Sequence, residues 1–119
     1  DQPAFLNQVA AGTTHLNPLE LLAFTQSIEI ELGRVKTFRN GPRVIDIDIL
    51  IYGDRVFKLD SLTIPHPRLH ERGFVLKPLA SIAPTLRVPG FTTTVSDMLS
   101  SVDQTGITLW SSHKNDNGE

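Results

Sequence analysis

Apolar positions change their period several times along the chain, and each change marks an element. Leu21, Phe24, Thr25, Ile28 and Leu32 recur at helical spacing. Ahead of them, Asn17-Pro18-Leu19-Glu20 sets out an N-cap residue, a proline at the first helical position and a glutamate three residues beyond the cap. This order predicts a helix starting at Pro18, with Gly33 suited to the left-handed position that would close it. Residues 44–52 alternate instead, so that Ile45, Ile47, Ile49 and Ile51 take one face and Asp46, Asp48, Leu50 and Tyr52 the other. That is the clearest strand signal in the chain, and a further strand is expected over residues 5–13. Gly53-Asp54 predicts a two-residue turn, followed by short strands at Val56 and Phe57 and at residues 62–64, as a hairpin or small meander. The two prolines of Pro65-His66-Pro67 force an extended or turn conformation on the histidine between them. Residues 71–82 read as a short helix that Pro78 is expected to kink or restart. Thr94 with Asp97 three residues later forms a cap ahead of the apolar stripe Val95, Met98, Leu99 and Val102, which predicts a short last helix.

Composition narrows the classes. With 119 residues, 39% of them hydrophobic and 20% charged, the chain can bury a core and is not intrinsically disordered. One domain is expected over residues 1–110, followed by a polar, disordered tail at 111–119. The absence of cysteine removes disulfides, thiol nucleophiles and Cys-ligated zinc or iron–sulfur sites, and fits a reducing compartment. No apolar run reaches the length of a membrane span and no signal peptide pattern is present, so a cytoplasmic protein without a membrane partner is expected. The chain begins at Asp1 without methionine and enters an apolar stretch almost at once, as a segment of a longer domain would. A formal net charge of -2 argues against a nucleic-acid binder, so a phosphate site must arise from a local concentration of cations. Residues 34–43 provide one: Arg34, Lys36, Arg39 and Arg43 with no acidic residue among them, read here as a basic loop.

Directly after that loop come the two carboxylates. Asp46 and Asp48 share a strand face with alpha carbons roughly 7 Å apart. Their mutual repulsion is relieved either by water on a solvated face or by a divalent cation in an oxygen-rich setting of the kind magnesium prefers. Arginine forks match phosphate oxygens, so cations beside a carboxylate pair suit phosphoryl transfer, and ion pairing between the loop and the aspartates is the structural alternative. His66 and His70 are four residues apart, but the prolines around His66 argue against a zinc-binding helix. His66 and Arg72 are candidate donors to phosphate, the alternative for His66 being a turn histidine bonded to backbone. Phe5 and Phe74 are core residues or stacking faces for a flat ligand, and Asn7 either faces water or offers paired donor and acceptor groups to a heterocycle edge.

The strings GPRVIDIDILIYG, IPHPRLHERGFVLKPLASIAP and DQPAFLNQV resemble the signatures of the 6-hydroxymethyl-7,8-dihydropterin pyrophosphokinase family of folate biosynthesis. The resemblance runs from Asp1 to about Pro84 and weakens toward Trp110. It implies magnesium-dependent transfer of pyrophosphate from ATP to the hydroxymethyl oxygen of the pterin, with release of AMP. By resemblance, Asp46 and Asp48 hold two magnesium ions and act catalytically with Arg34 and Arg43. Arg34, Lys36, Arg43, His66 and Arg72 contact the triphosphate, and Arg39 lies in a mobile loop over it. Gln26, Glu29 and Ile49 lie near the nucleotide. Phe5 and Phe74 sandwich the pterin, and Asn7 bonds its edge.

The implied fold is an α+β, ferredoxin-like alpha/beta sandwich. Two departures stand out. Asn40 occupies a place where the family often carries an aromatic residue, which removes any ring contact there. The family pattern also places a strand, a helix and a second strand ahead of the Asp1 position, with a glycine-containing first strand and a Thr-Pro segment beside the pterin. The expected arrangement is therefore an N-terminally truncated sandwich with a central strand missing. Strands 5–13 and 44–52 would run parallel across an empty slot that another copy could fill as a homo-oligomer. The rival functional expectation is a catalytically incompetent fragment that assembles through these edges and keeps partial nucleotide and metal binding.

Overall fold

The computed structural model describes residues 7–36 and 45–109, with backbone alone at 34–36. In order, the elements are helix α1 (Pro18–Lys36), strands β1 (Phe57–Leu59) and β2 (Leu62–Ile64), a 3-10 turn (Leu69–Glu71), helix α2 (Gly73–Ile82) and helix α3 (Val95–Ser100). They form a small α+β arrangement of two compact units, one containing Ala11–Pro67 with Val88–Gly90, the other Asp1–Ala10, Arg68–Arg87 and Phe91–Glu119.

In the first unit, α1 opens on the expected capping box. The Glu20 N–H donates to Asn17 Oδ1 at 2.8 Å, and the Asn17 N–H donates to Glu20 Oε1 at 2.9 Å. The helix does not stop at Gly33 but runs on to Lys36, so the first residues of the expected basic loop are helical. Gly33 does not take the left-handed conformation. A glycine inside a helix costs only about 1 kcal/mol relative to alanine, which the favourable neighbours on either side offset. The remaining loop positions, including Arg39, Asn40 and Arg43, lie outside the described residues, as do Phe5, Trp110 and the tail.

Residues 45–49 keep the expected alternation, with Ile45, Ile47 and Ile49 half-buried and Asp46 and Asp48 exposed. Among the described residues they nevertheless join no sheet. Neither residues 45–52 nor residues 7–13 pair with a strand among the described residues, so the two parallel strands expected to flank an empty slot are absent there. Alternation specifies which side chains share a face, whereas a strand also needs a neighbour for its N–H and C=O groups. The described sheet is instead a single antiparallel hairpin that pairs Phe57 with Ile64, Lys58 with Thr63 and Leu59 with Leu62. A lone hairpin is marginal in water, and this one is supported by burial of Leu62 and Ile64. The Gly53-Asp54 turn forms as expected, closed by the Arg55 N–H on the Tyr52 carbonyl at 3.0 Å, with Gly53 at a φ of 56°. The Tyr52 hydroxyl donates to the Leu16 carbonyl, tying residues 45–52 to the entrance of α1.

In the second unit, α2 packs on α3 and both contact the 3-10 turn, burying Leu69, Leu76, Leu79, Val95 and Met98. The expected helix at 71–82 is thus a 3-10 turn followed by α2, joined at Arg72, which ends the first and caps the second. Pro78 lies inside α2 without restarting it. Its missing N–H forgoes one bond, to the Phe74 carbonyl, while burial of Leu76 and Leu79 holds the turns on either side. The Thr94–Asp97 capping box is present, with the Asp97 N–H on Thr94 Oγ1 at 3.1 Å.

Candidate active site

The first unit carries most of the residues singled out from the sequence. Asp46 and Asp48 are exposed, and among the described residues neither carboxylate has a hydrogen-bond or ion-pair partner. Between them, the Ile47 N–H donates to Glu29 Oε2 at 2.6 Å. A side chain from α1 thus does for the segment what a neighbouring strand would do, fixing the backbone at the residue flanked by the two aspartates. The resemblance implies only that Glu29 lies near the nucleotide and gives no sign of this contact, which joins residues far apart in the chain. Gln26, one helical turn earlier, is exposed. Ile49 is half-buried, and the His66 N–H donates to the Leu50 carbonyl at 2.8 Å, which brings the Pro-His-Pro turn against the same segment. Glu29, the aspartates and His66 are therefore gathered around residues 46–50. Arg34 and Lys36 have their backbone in the last turn of α1, and Arg43 and Arg39 lie outside the described residues.

Among the described residues, no group of three or more His, Cys, Asp or Glu side chains is assembled as a metal cage. Two exposed carboxylates on one side of an extended segment still suit magnesium, which takes one or two carboxylates and completes its shell with water and substrate phosphates. The donor set fits a metal that arrives with a nucleotide rather than one held permanently.

In the second unit, Arg72 and Phe74 form a stacked pair, with the guanidinium carbon 5.0 Å from the ring centroid. Phe74 is 41% exposed, too open for a core residue. Arg72 sits where the 3-10 turn meets α2, and its carbonyl accepts from the Val75 and Leu76 N–H groups at 2.9 Å each. One backbone junction therefore sets both side chains. Asn7 is exposed and makes no hydrogen bond with another described residue. His70, outside the expected site, lies 5.4 Å centroid to centroid from Phe91.

Residues 1–84 match the family model for 7,8-dihydro-6-hydroxymethylpterin-pyrophosphokinase. The chain is 52% identical over 89 residues to the 2-amino-4-hydroxy-6-hydroxymethyldihydropteridine pyrophosphokinase of Pseudomonas aeruginosa, covering 75% of this chain and 55% of that protein. It is 42% identical over 110 residues to the protein of the same name from Bacillus subtilis, covering 92% of this chain and 62% of the relative. With the folic acid synthesis protein fol1 of Schizosaccharomyces pombe it shares 46% identity over 115 residues, 97% of this chain but 16% of that protein. The chain thus spans little more than half of the two bacterial relatives and a small part of the yeast one. The match covers the aspartate pair, the Pro-His-Pro turn and the Arg72–Phe74 junction together, and the chain belongs to the 7,8-dihydro-6-hydroxymethylpterin-pyrophosphokinase family.

Proposed function

We propose that the whole protein transfers pyrophosphate from ATP to the hydroxymethyl group of 6-hydroxymethyl-7,8-dihydropterin in folate synthesis, on a ferredoxin-like sandwich to which this chain contributes the metal and phosphate side. The observation that carries this reading is the pair of exposed carboxylates at Asp46 and Asp48, without a partner among the described residues, on a backbone fixed between them by Glu29. The substrate hydroxyl oxygen attacks the β-phosphorus, the bond from that phosphorus to the oxygen bridging to the α-phosphate breaks, AMP departs and the hydroxyl proton is lost. Asp46 and Asp48 hold two magnesium ions, whose charge when bound offsets that of the triphosphate. Arg34, Lys36, Arg39, Arg43, His66 and Arg72 bind and orient the phosphates, and Gln26, Glu29 and Ile49 border the nucleotide. Phe74 with Phe5 stacks on the flat pterin, and Asn7 bonds its edge. No described helix is long and apolar enough to cross a membrane, and a cytoplasmic enzyme acting on small molecules agrees with this chemistry. Asp46→Ala or Asp48→Ala in the complete protein is expected to abolish magnesium-dependent AMP release while leaving the fold intact. Turnover near that of the parent in either variant contradicts the assignment.

A second reading applies to the 119-residue chain taken by itself: it binds nucleotide and metal weakly, does not turn over, and associates with another copy. The absence of a ladder partner for residues 45–52 among the described residues favours it, because the bonds from Glu29, His66 and Tyr52 leave other backbone groups of the segment for another copy to pair.

A further inference from the structure

Residues 102–107 lie beyond the part of the chain that matches the family model, yet they press on the helix start that carries Arg72 and Phe74. Gly73, the first residue of α2, is buried and has no positive φ, so its backbone conformation does not require glycine. Its surroundings do. A Cβ at Gly73 would stand 2.9 Å from Ile107 Cδ1 and 3.0 Å from the Asp103 carbonyl oxygen.

The opposing segment is built to hold its shape. The Asp103 carboxylate accepts from the Thr105 N–H at 2.9 Å and from the Thr105 hydroxyl at 2.6 Å. These bonds hold the Asp103 carboxyl below the usual aspartate range. The Ile107 N–H closes a turn on the Gln104 carbonyl at 3.1 Å, with Gly106 at a φ of 81°. Lys77 Nζ, one helical turn past Gly73, donates to the Ile107 carbonyl at 3.3 Å, clamping the segment to α2 at a second point.

We propose that residues 102–107 are a positioning element for the pterin site: seated on Gly73 and clipped to Lys77, they fix the direction in which α2 presents the Arg72–Phe74 pair. This rests on the reading of Phe74 as a stacking face. Stacking depends on ring offset and separation, so a helix start displaced by part of an ångström loses the flat substrate before it loses the fold. Gly73 and Asp103 touch no substrate and act through Arg72 and Phe74.

The test compares four variants of the complete protein by titrating pterin and an ATP analogue separately, with thermal melting as a check on folding. Gly73→Ala is expected to weaken pterin binding by about tenfold, equivalent to 1.4 kcal/mol, and ATP-analogue binding by no more than about threefold, because several other cations hold the phosphates. Adding Ile107→Ala to Gly73→Ala removes the nearer obstruction and is expected to restore part of the pterin affinity. Asp103→Ala, which removes the Thr105 bonds that shape the segment without adding bulk at Gly73, is expected to give a smaller loss confined to pterin. Phe74→Ala separates the two levels of the account. If it leaves pterin affinity unchanged, the stacking reading falls and the positioning role with it. If it weakens pterin binding while Gly73→Ala and Asp103→Ala bind pterin like the parent, the positioning role alone is overturned.

Discussion

Glu29 has its clearest consequence at the level of single side chains. Its carboxylate receives the Ile47 N–H at 2.6 Å, in the middle of the segment that carries both candidate magnesium ligands. Glu29→Ala is expected to lower magnesium-dependent turnover by about tenfold to a hundredfold through misplacement of Asp46 and Asp48. Glu29→Gln, which keeps an acceptor oxygen, should recover most of the loss. A steady-state AMP-release assay decides between this and a parent-like rate for the alanine variant, which would make the contact incidental. Phe74 gives a complementary expectation. Replacing it with alanine should weaken pterin binding more than ATP-analogue binding, because the ring is lost and the phosphate contacts remain. Calorimetry with each ligand in turn checks this, and equal losses for both would return Phe74 to a purely structural role.

Among the elements, those announced by short-range chemistry were legible. The Asn17–Glu20 and Thr94–Asp97 boxes and the turn at Gly53 depend on residues three apart, the hairpin that follows on residues three to seven apart, and all of them form. Asn17→Ala is expected to cost about 1 kcal/mol, seen as a lower melting midpoint with the unfolding slope unchanged. No change would mean that tertiary packing alone sets the start of α1. Of the strand expected at residues 44–52, residues 45–52 join no ladder among the described residues, for a different reason. Its isoleucines and aspartates separate onto two faces as the pattern says, but a ladder requires a neighbour that alternation does not identify. Gly33 and Pro78 were overweighted, since each costs a helix one local preference that adjoining residues offset. In the site, the shared face of Asp46 and Asp48 was readable from a period of two. The Glu29–Ile47 bond and the approach of residues 102–107 to Gly73 were not, because both join residues distant along the chain.

For the molecule as a whole, the described residues leave Leu19, Phe24 and Ile30 of α1 exposed, although Thr25 of the same helix is buried. With residues 45–52 also outside any described sheet, the 119-residue chain by itself is expected to associate and to release AMP negligibly. Light scattering together with an AMP-release assay checks both halves. A stable monomer with the turnover of a complete relative would show that these surfaces need no further cover. Pyrophosphoryl transfer supported by Asp46 and Asp48 is checked by following the complete protein with ATP, magnesium and hydroxymethyldihydropterin by phosphorus NMR. AMP and pterin diphosphate are expected in equal amounts with the parent, and neither product with Asp46→Asn or Asp48→Asn. Formation of ADP with a pterin monophosphate, or undiminished AMP from either variant, would contradict pyrophosphoryl transfer supported by this pair.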